Sequence, residues 1–351
     1  MKVLYLGWIG ANNIGDELMF DNFKKVIKNK YGDKCRVTPL FCPETYNDFD
    51  EYDLVCLGGG SILLEGFIAV LYRALEQGKR VMVWGSGYDD LLGNEFIKRL
   101  EDLYISPYIY SDSTEEKLNE IAKKADFFGV RGPLTYKILE KSNIDMTNIV
   151  ISGDPGFLLE SANINEIGTN IDFTKRDKVV GINMGTSYNR IYGGREDLVE
   201  VQLLKACNRL LETGYKLYIY AMWPTDLDLV LELYKKLPKS ENVILDIFIH
   251  TGEELVSIMK NCVFTINFKL HGNVASAVAK VPFICLGYRL KAYDLVKSIE
   301  CEELNIPTDS ENIYEEIEKC ILRIEKNKDE IISKIDKNIT RYKDILTNCF
   351  K

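Results

Sequence analysis

Short apolar runs alternate with longer amphipathic stretches along most of the chain. Lys2 to Leu6 reads as a strand, followed by a Gly/Asn loop and a helical stretch from about Asp16 to Lys30. Arg36 to Leu40, Leu54 to Leu57, Arg80 to Trp84, Phe127 to Val130 and Ile149 to Ser152 have the length and composition of further strands. Helical stretches run up to Gln77, from a capping-box pattern at Ser113-Thr114-Glu115-Glu116 to Lys124, and from Pro133 to Lys141, with the proline in the first turn. A polar segment from about Ser161 to Asp177 reads as a linker.

The alternation then resumes. Strands are expected at Val179 to Asn183, Lys216 to Tyr220, Val243 to Leu245, Val263 to Asn267 and Phe283 to Leu286, and a second capping box at Thr251-Gly252-Glu253-Glu254 opens a helix. Two charged helices fill the tail from about Glu311 to Phe350. Strands alternating with helices predict parallel sheets. The expected fold class is α/β, with two Rossmann-like doubly wound domains over residues 1–165 and 176–310 and C-terminal helices over 311–351.

Composition narrows the function classes. The 351 residues carry a net charge of -9, which argues against nucleic acid as a partner because that grip needs a basic surface. No apolar run is long enough for a transmembrane helix, and no secretory leader precedes the first strand, so a cytoplasmic location is expected. The nine cysteines are scattered without a C-x-x-C pair and read as small buried hydrophobes. With two histidines, His250 and His271, little material exists for a metal site, and neither a metal nor a cofactor is expected.

Ligands of open α/β sheets bind beyond the carboxyl ends of the strands, so the loops there are the places to search. The first runs from Gly7 to Glu17 and is not a dinucleotide fingerprint; Asp16 and Glu17 there serve either the helix dipole or a ligand's hydroxyls. The second is Gly58-Gly59-Gly60-Ser61, which lacks the lysine of a P-loop and, alone, reads as a tight turn. In the third, Arg131 lies between a strand end and a helix start, a place that favours anion binding. Asp154, in the fourth, reads as a turn former before Pro155, with a domain-cleft contact as the alternative. The fifth, Asn267 to Asn273, carries Lys269 and places His271 at a helix N-terminus, suited to proton transfer near neutral pH. The sixth carries Arg289 and Lys291, which serve either an exposed loop or a cationic patch with Arg131 and Lys269.

Taken in order, Asn13-Ile14-Gly15-Asp16-Glu17, Gly58 to Ser61, Val130-Arg131, Asp154-Pro155-Gly156-Phe157-Leu158-Leu159 and Lys269-Leu270-His271-Gly272 resemble the bacterial polysaccharide pyruvyl transferase family. Lys269 stands where the family usually has arginine, and Gly272 where alanine is usual. The resemblance implies a glycosyltransferase-B-like fold and transfer of pyruvate from phosphoenolpyruvate onto a sugar of a cell-surface polysaccharide precursor, as a cyclic ketal. It implies His271 as the acid and Arg131, Lys269, Arg289, Lys291, Gly272 and Asn273 on the donor side. Asn13, Gly15, Asp16, Glu17, Gly59, Gly60 and Ser61 fall on the acceptor side. The implied partners are phosphoenolpyruvate and a sugar or lipid-linked saccharide, the latter bringing peripheral contact with the inner face of the membrane. A nucleotide-sugar glycosyltransferase and a non-catalytic glycan- or nucleotide-binding protein are the alternatives on the same fold.

Overall fold

The computed structural model describes residues 1–10, 13–41, 44–91, 97, 109–163, 167 and 178–350. Most of the segment read as a linker lies outside the described residues. The chain divides into two compact units, Met1–Leu158 with Thr340–Lys351, and Leu159–Ile339.

The N-terminal unit holds a parallel sheet of β1 (Lys2–Leu6), β2 (Arg36–Leu40), β3 (Leu54–Leu57), β4 (Arg80–Ser86), β5 (Phe127–Val130) and β6 (Ile149–Ile151), in the order β2-β1-β3-β4-β5-β6. Its helices are α1 (Ile14–Tyr31), α2 (Glu65–Glu76), α3 (Asp112–Lys124) and α4 (Pro133–Lys141) among the described residues. Every residue of β3 is buried, as expected of a parallel strand covered on both faces. The core gathers Tyr5, Phe20, Phe23 and Trp84 with Leu346 and Phe350 from the far end of the chain. Trp84 Nε1 donates to Leu346 O at 3.1 Å, which satisfies the one polar atom of a fully buried indole.

The C-terminal unit repeats the plan with β7 (Val179–Asn183), β8 (Lys216–Tyr220), β9 (Val243–Asp246), β10 (Phe264–Asn267), β11 (Phe283–Gly287) and β12 (Asn305–Pro307), in the order β12-β11-β10-β7-β8-β9. Its helices include α5 (Glu196–Glu212), α6 (Leu227–Lys236), α7 (Gly252–Met259), α8 (Leu270–Val278) and α9 (Leu290–Ser298). The tail forms α10 (Ile313–Asn348), interrupted by non-helical backbone at Asn327, so two helical segments share the span. The described cysteines are all free, and no helix among the described residues is long and apolar enough to cross a membrane.

One local expectation is corrected and one strand is added. The start of α3 does not use Ser113: the cap is Ser111, and instead of a capping box Glu65 Oε1 accepts from Ser111 N at 3.0 Å and Thr114 Oγ1 at 3.1 Å. The strand β12 is absent from the sequence reading because it spans only three residues and includes a proline. The box opening α7 forms as expected, with Thr251 and Glu254 bonded reciprocally.

Each sheet reverses its strand order once, between β1 and β3 in the N-terminal unit and between β7 and β10 in the C-terminal unit. Such switch points splay the neighbouring loops apart and open a crevice beyond the strand ends.

Candidate functional site

At the N-terminal switch point, the glycine loop after β3 is shaped by what surrounds it. Tyr5 is fully buried, and its Oη accepts from Gly59 N at 3.1 Å. A Cβ on Gly58 would lie 2.0 Å from the Tyr5 ring, and one on Gly59 would meet Met19 at 2.5 Å. Gly60 has φ +108, a conformation glycine tolerates, and accepts from Gly87 N at 2.7 Å. The three glycines therefore bring backbone close to other groups, and they knit this loop to the one after β4.

Arg131 leaves β5 beneath that junction and is 1% exposed. Its Nη2 donates to Ser61 Oγ at 3.1 Å, and its Nη1 lies 4.0 Å from Asp154 Oδ2. Nε has no hydrogen-bond partner among the described residues. A Cβ on Gly87 would sit 2.6 Å from Nη2, so the guanidinium lies flat against that glycine. Asp154 makes the turn read from its sequence, Oδ1 accepting from Gly156 N at 2.8 Å, and its Oδ2 faces the arginine.

The other N-terminal candidates serve the start of α1. Asn13 is its N-cap, accepting from Gly15 N at 3.1 Å, and Gly15 is buried. Glu17 Oε1 accepts from Gly10 N at 2.6 Å, while Asp16 Oδ1 lies over Gly60, 3.2 Å from where a Cβ would stand.

At the C-terminal switch point, Asn183 Oδ1 accepts from Lys269 N at 2.9 Å. Tyr220 Oη donates to Asn267 Oδ1 at 2.6 Å, and Asn267 Nδ2 donates to Asn273 Oδ1 at 3.1 Å. This buried amide network fixes the turn from β10 into α8. Lys269 is the N-cap of α8, and His271, half-buried, stands in its first turn. Phe268 stacks on Tyr288 with centroids 4.8 Å apart, and Lys291 Nζ sits 5.2 Å from the Tyr288 centroid. Arg289 is the N-cap of α9. The unit therefore gathers Lys269, His271, Arg289 and Lys291 at the carboxyl ends of two adjacent strands, while Arg131 belongs to the other unit.

Lys269 is already engaged. Its Nζ lies 3.0 Å from Asp226 Oδ1, donates to Thr186 O and sits 5.4 Å from the Trp223 centroid. Asp226 is fully buried, also accepts from Thr186 N at 2.9 Å, and leaves Oδ2 without a partner among the described residues. Burial pushes the Asp226 carboxyl above its ordinary range, against the lowering by Lys269.

The sequence model of the polysaccharide pyruvyl transferase family matches residues 13–289, most of the chain. The chain belongs to that family. It is therefore a transferase. A comparison with curated protein sequences finds no significant match.

Solved structures bear on the fold. The S. aureus MnaA–UDP co-structure is similar with a TM-score of 0.61 at 13% identity, covering 97% of this chain and 92% of that one. UDP-GlcNAc 2-epimerase from Neisseria meningitidis bound to UDP-GlcNAc gives 0.56 at 12% identity, covering 95% and 94%. Os79 from O. sativa in complex with UDP gives 0.56 at 12%, covering 98% and 96%. These likenesses give the pyruvyl transferase chain a GT-B-like fold of two Rossmann-like domains.

At Gly272, in the first turn of α8, a side chain has little room. A Cβ there would lie 2.9 Å from Tyr220 Oη and 3.1 Å from Asn267 Cγ.

His250 escaped the sequence reading as a site. It is 4% exposed, with Nε2 2.7 Å from Asp246 Oδ2 and Nδ1 3.6 Å from Glu254 Oε2, and Tyr218 Oη donates to the same Asp246 oxygen at 2.7 Å. Burial opposes its charge, but the Asp246 hydrogen bond and the two carboxylates outweigh burial and raise its pKa. No signal in the sequence ties these residues together, because Tyr218 comes from β8 and Asp246 from β9.

Proposed function

We propose that this chain transfers pyruvate from phosphoenolpyruvate to two hydroxyls of one sugar in a polysaccharide precursor, forming a cyclic ketal. Family membership supports the transfer class. The observation that carries the donor assignment is Arg131. A guanidinium 1% exposed, with a carboxylate no closer than 4.0 Å and Nε without a partner among the described residues, matches an anionic group of the donor.

The chemistry asks for an acid and for cations. His271 delivers a proton to the methylene carbon, making the adjacent carbon electrophilic. Two sugar hydroxyls add to that carbon and the phosphate leaves. One hydroxyl proton restores the acid and the other departs with phosphate, so the balance closes. Arg131 holds the donor, and Arg289 and Lys291 supply charge at the ends of β11 and α9. Lys269, paired with Asp226, acts by holding the loop that carries Thr186 and by capping the helix of His271. Asn273 and Gly272 shape that same turn. On the acceptor side, Asp16, Glu17 and Ser61 line the N-terminal switch point. The acceptor is a sugar or a lipid-linked saccharide, the latter bringing the enzyme to the inner face of the membrane.

Nucleotide-sugar transfer is the second reading, favoured by fold neighbours solved with UDP. Thermal unfolding separates the two. A ligand at about a hundred times its Kd stabilises by roughly 2.7 kcal/mol. Phosphoenolpyruvate is expected to raise the Tm of the wild type and not of Arg131→Ala. A rise with UDP or a nucleotide sugar alone would move the assignment to a glycosyltransferase.

A further inference from the structure

The N-terminal unit exposes two aromatic rings that its core does not use. Trp8 is 41% exposed and Phe41 52% exposed, and their centroids are 4.9 Å apart at 62°. Buried Phe67, on α2, lies against Trp8 with centroids 5.8 Å apart. The backbone fixes this placement. The register of β1 against β2 ends at Leu6 and Leu40, and Gly7 N then donates to Leu40 O at 3.1 Å. Trp8 and Phe41 thus leave neighbouring strands side by side, at the carboxyl edge and next to the switch point.

Carboxylates stand at the same edge. Glu44 is exposed, and its Oε1 lies 2.7 Å from where a Cβ on Gly66 would be, so it covers the first turn of α2 beside Phe67. Asp16 and Glu17 occupy the first turn of α1. Anionic groups beside an aromatic face repel phosphates and accept hydroxyl protons. An aromatic face with its negative quadrupole attracts the polarised C–H bonds on the apolar side of a sugar ring. A few polar groups around an apolar surface then fix orientation.

We infer that Trp8 and Phe41 form a stacking platform for a pyranose ring of the acceptor, with Glu44 accepting its hydroxyls. The inference rests on the saccharide acceptor of the proposed function and adds the surface that selects it. It needs neither phosphoenolpyruvate nor turnover to be tested.

The full chain has three tryptophans, so its indole N–H resonances report separately, and Trp8→Phe assigns one of them. The chain is titrated with methyl glucopyranoside, methyl galactopyranoside and N-acetylglucosamine. The expected result is saturable movement of the Trp8 resonance with at least one sugar, while those of Trp84 and Trp223 stay in place. Trp8→Ala and Phe41→Ala each weaken binding about tenfold, and Trp8→Phe weakens it less. Both rings are exposed, so Tm stays near that of the wild type. Absence of movement with every sugar, movement at Trp223 instead, or undiminished binding in Trp8→Ala overturns the platform. Failure of the pyruvyl reading looks different: sugar binding persists, but phosphoenolpyruvate gives no stabilisation and no phosphate release.

Discussion

Gly87 lies flat against the guanidinium of Arg131, with room for hydrogen but not for carbon. Gly87→Ala places a methyl group 2.6 to 2.7 Å from Nη2, Cζ and Nε. The end of a flexible side chain yields more readily than backbone, so the arginine is displaced. The expected cost in stability is about 1–3 kcal/mol. The larger effect is on the donor: the rise in Tm with phosphoenolpyruvate disappears while the variant remains folded by circular dichroism.

Gly272→Ala is expected to destabilise this chain by about 1–3 kcal/mol, because the new Cβ meets Tyr220 Oη at 2.9 Å. Tyr220→Phe removes that oxygen and with it the donor to Asn267. Measured by urea unfolding, the double variant is expected to be more stable than the sum of the single losses allows.

Lys269→Met leaves Asp226 buried without its cation, at an expected cost of about 3–5 kcal/mol near neutral pH. Asp226 has a raised folded pKa, so its neutral form favours folding at low pH and that advantage is lost as pH rises through the folded pKa. The deficit of the variant therefore shrinks as pH falls. Asp226→Asn in the same chain recovers part of it. Denaturant midpoints followed across pH test both points.

His250 contributes with the opposite charge. Its folded pKa is raised, so the stabilisation is fully present below the unfolded value, about 6.5, and is lost as pH rises through the folded value. Asp246 is held low: burial raises it, but the bonds from His250, Tyr218 and Phe248 N prevail. Its contribution is present above its unfolded value and is lost as pH falls through the folded one. The gap between wild type and His250→Gln in urea is thus expected to be widest near pH 5 to 6 and to close in mildly alkaline solution.

The strands and the loops after them were legible because a strand buried on both faces must be an unbroken apolar run, and the turn beyond it must be polar or glycine-rich. Phe127–Val130 and Val179–Asn183 coincide with their expected ranges. Partners across the fold were not legible. Asp226 reaches Lys269 from the loop after β8, and Glu65 reaches Ser111 across 46 residues of chain. Local pattern carries the address of a loop but not the identity of what arrives there. For the same reason the place of Arg131 at a strand end was legible, while the close approach of Gly87 that its guanidinium needs was not.

The segment that closes the first core follows the whole of the second unit along the chain. Leu346 and Phe350 pack with Tyr5, Phe23 and Trp84, so the N-terminal unit is incomplete until residue 350 has left the ribosome. The unit from Leu159 to Ile339 has its whole sequence available earlier. During synthesis the order of maturation is therefore inverted, with the second unit free to fold while the first waits for its final strap.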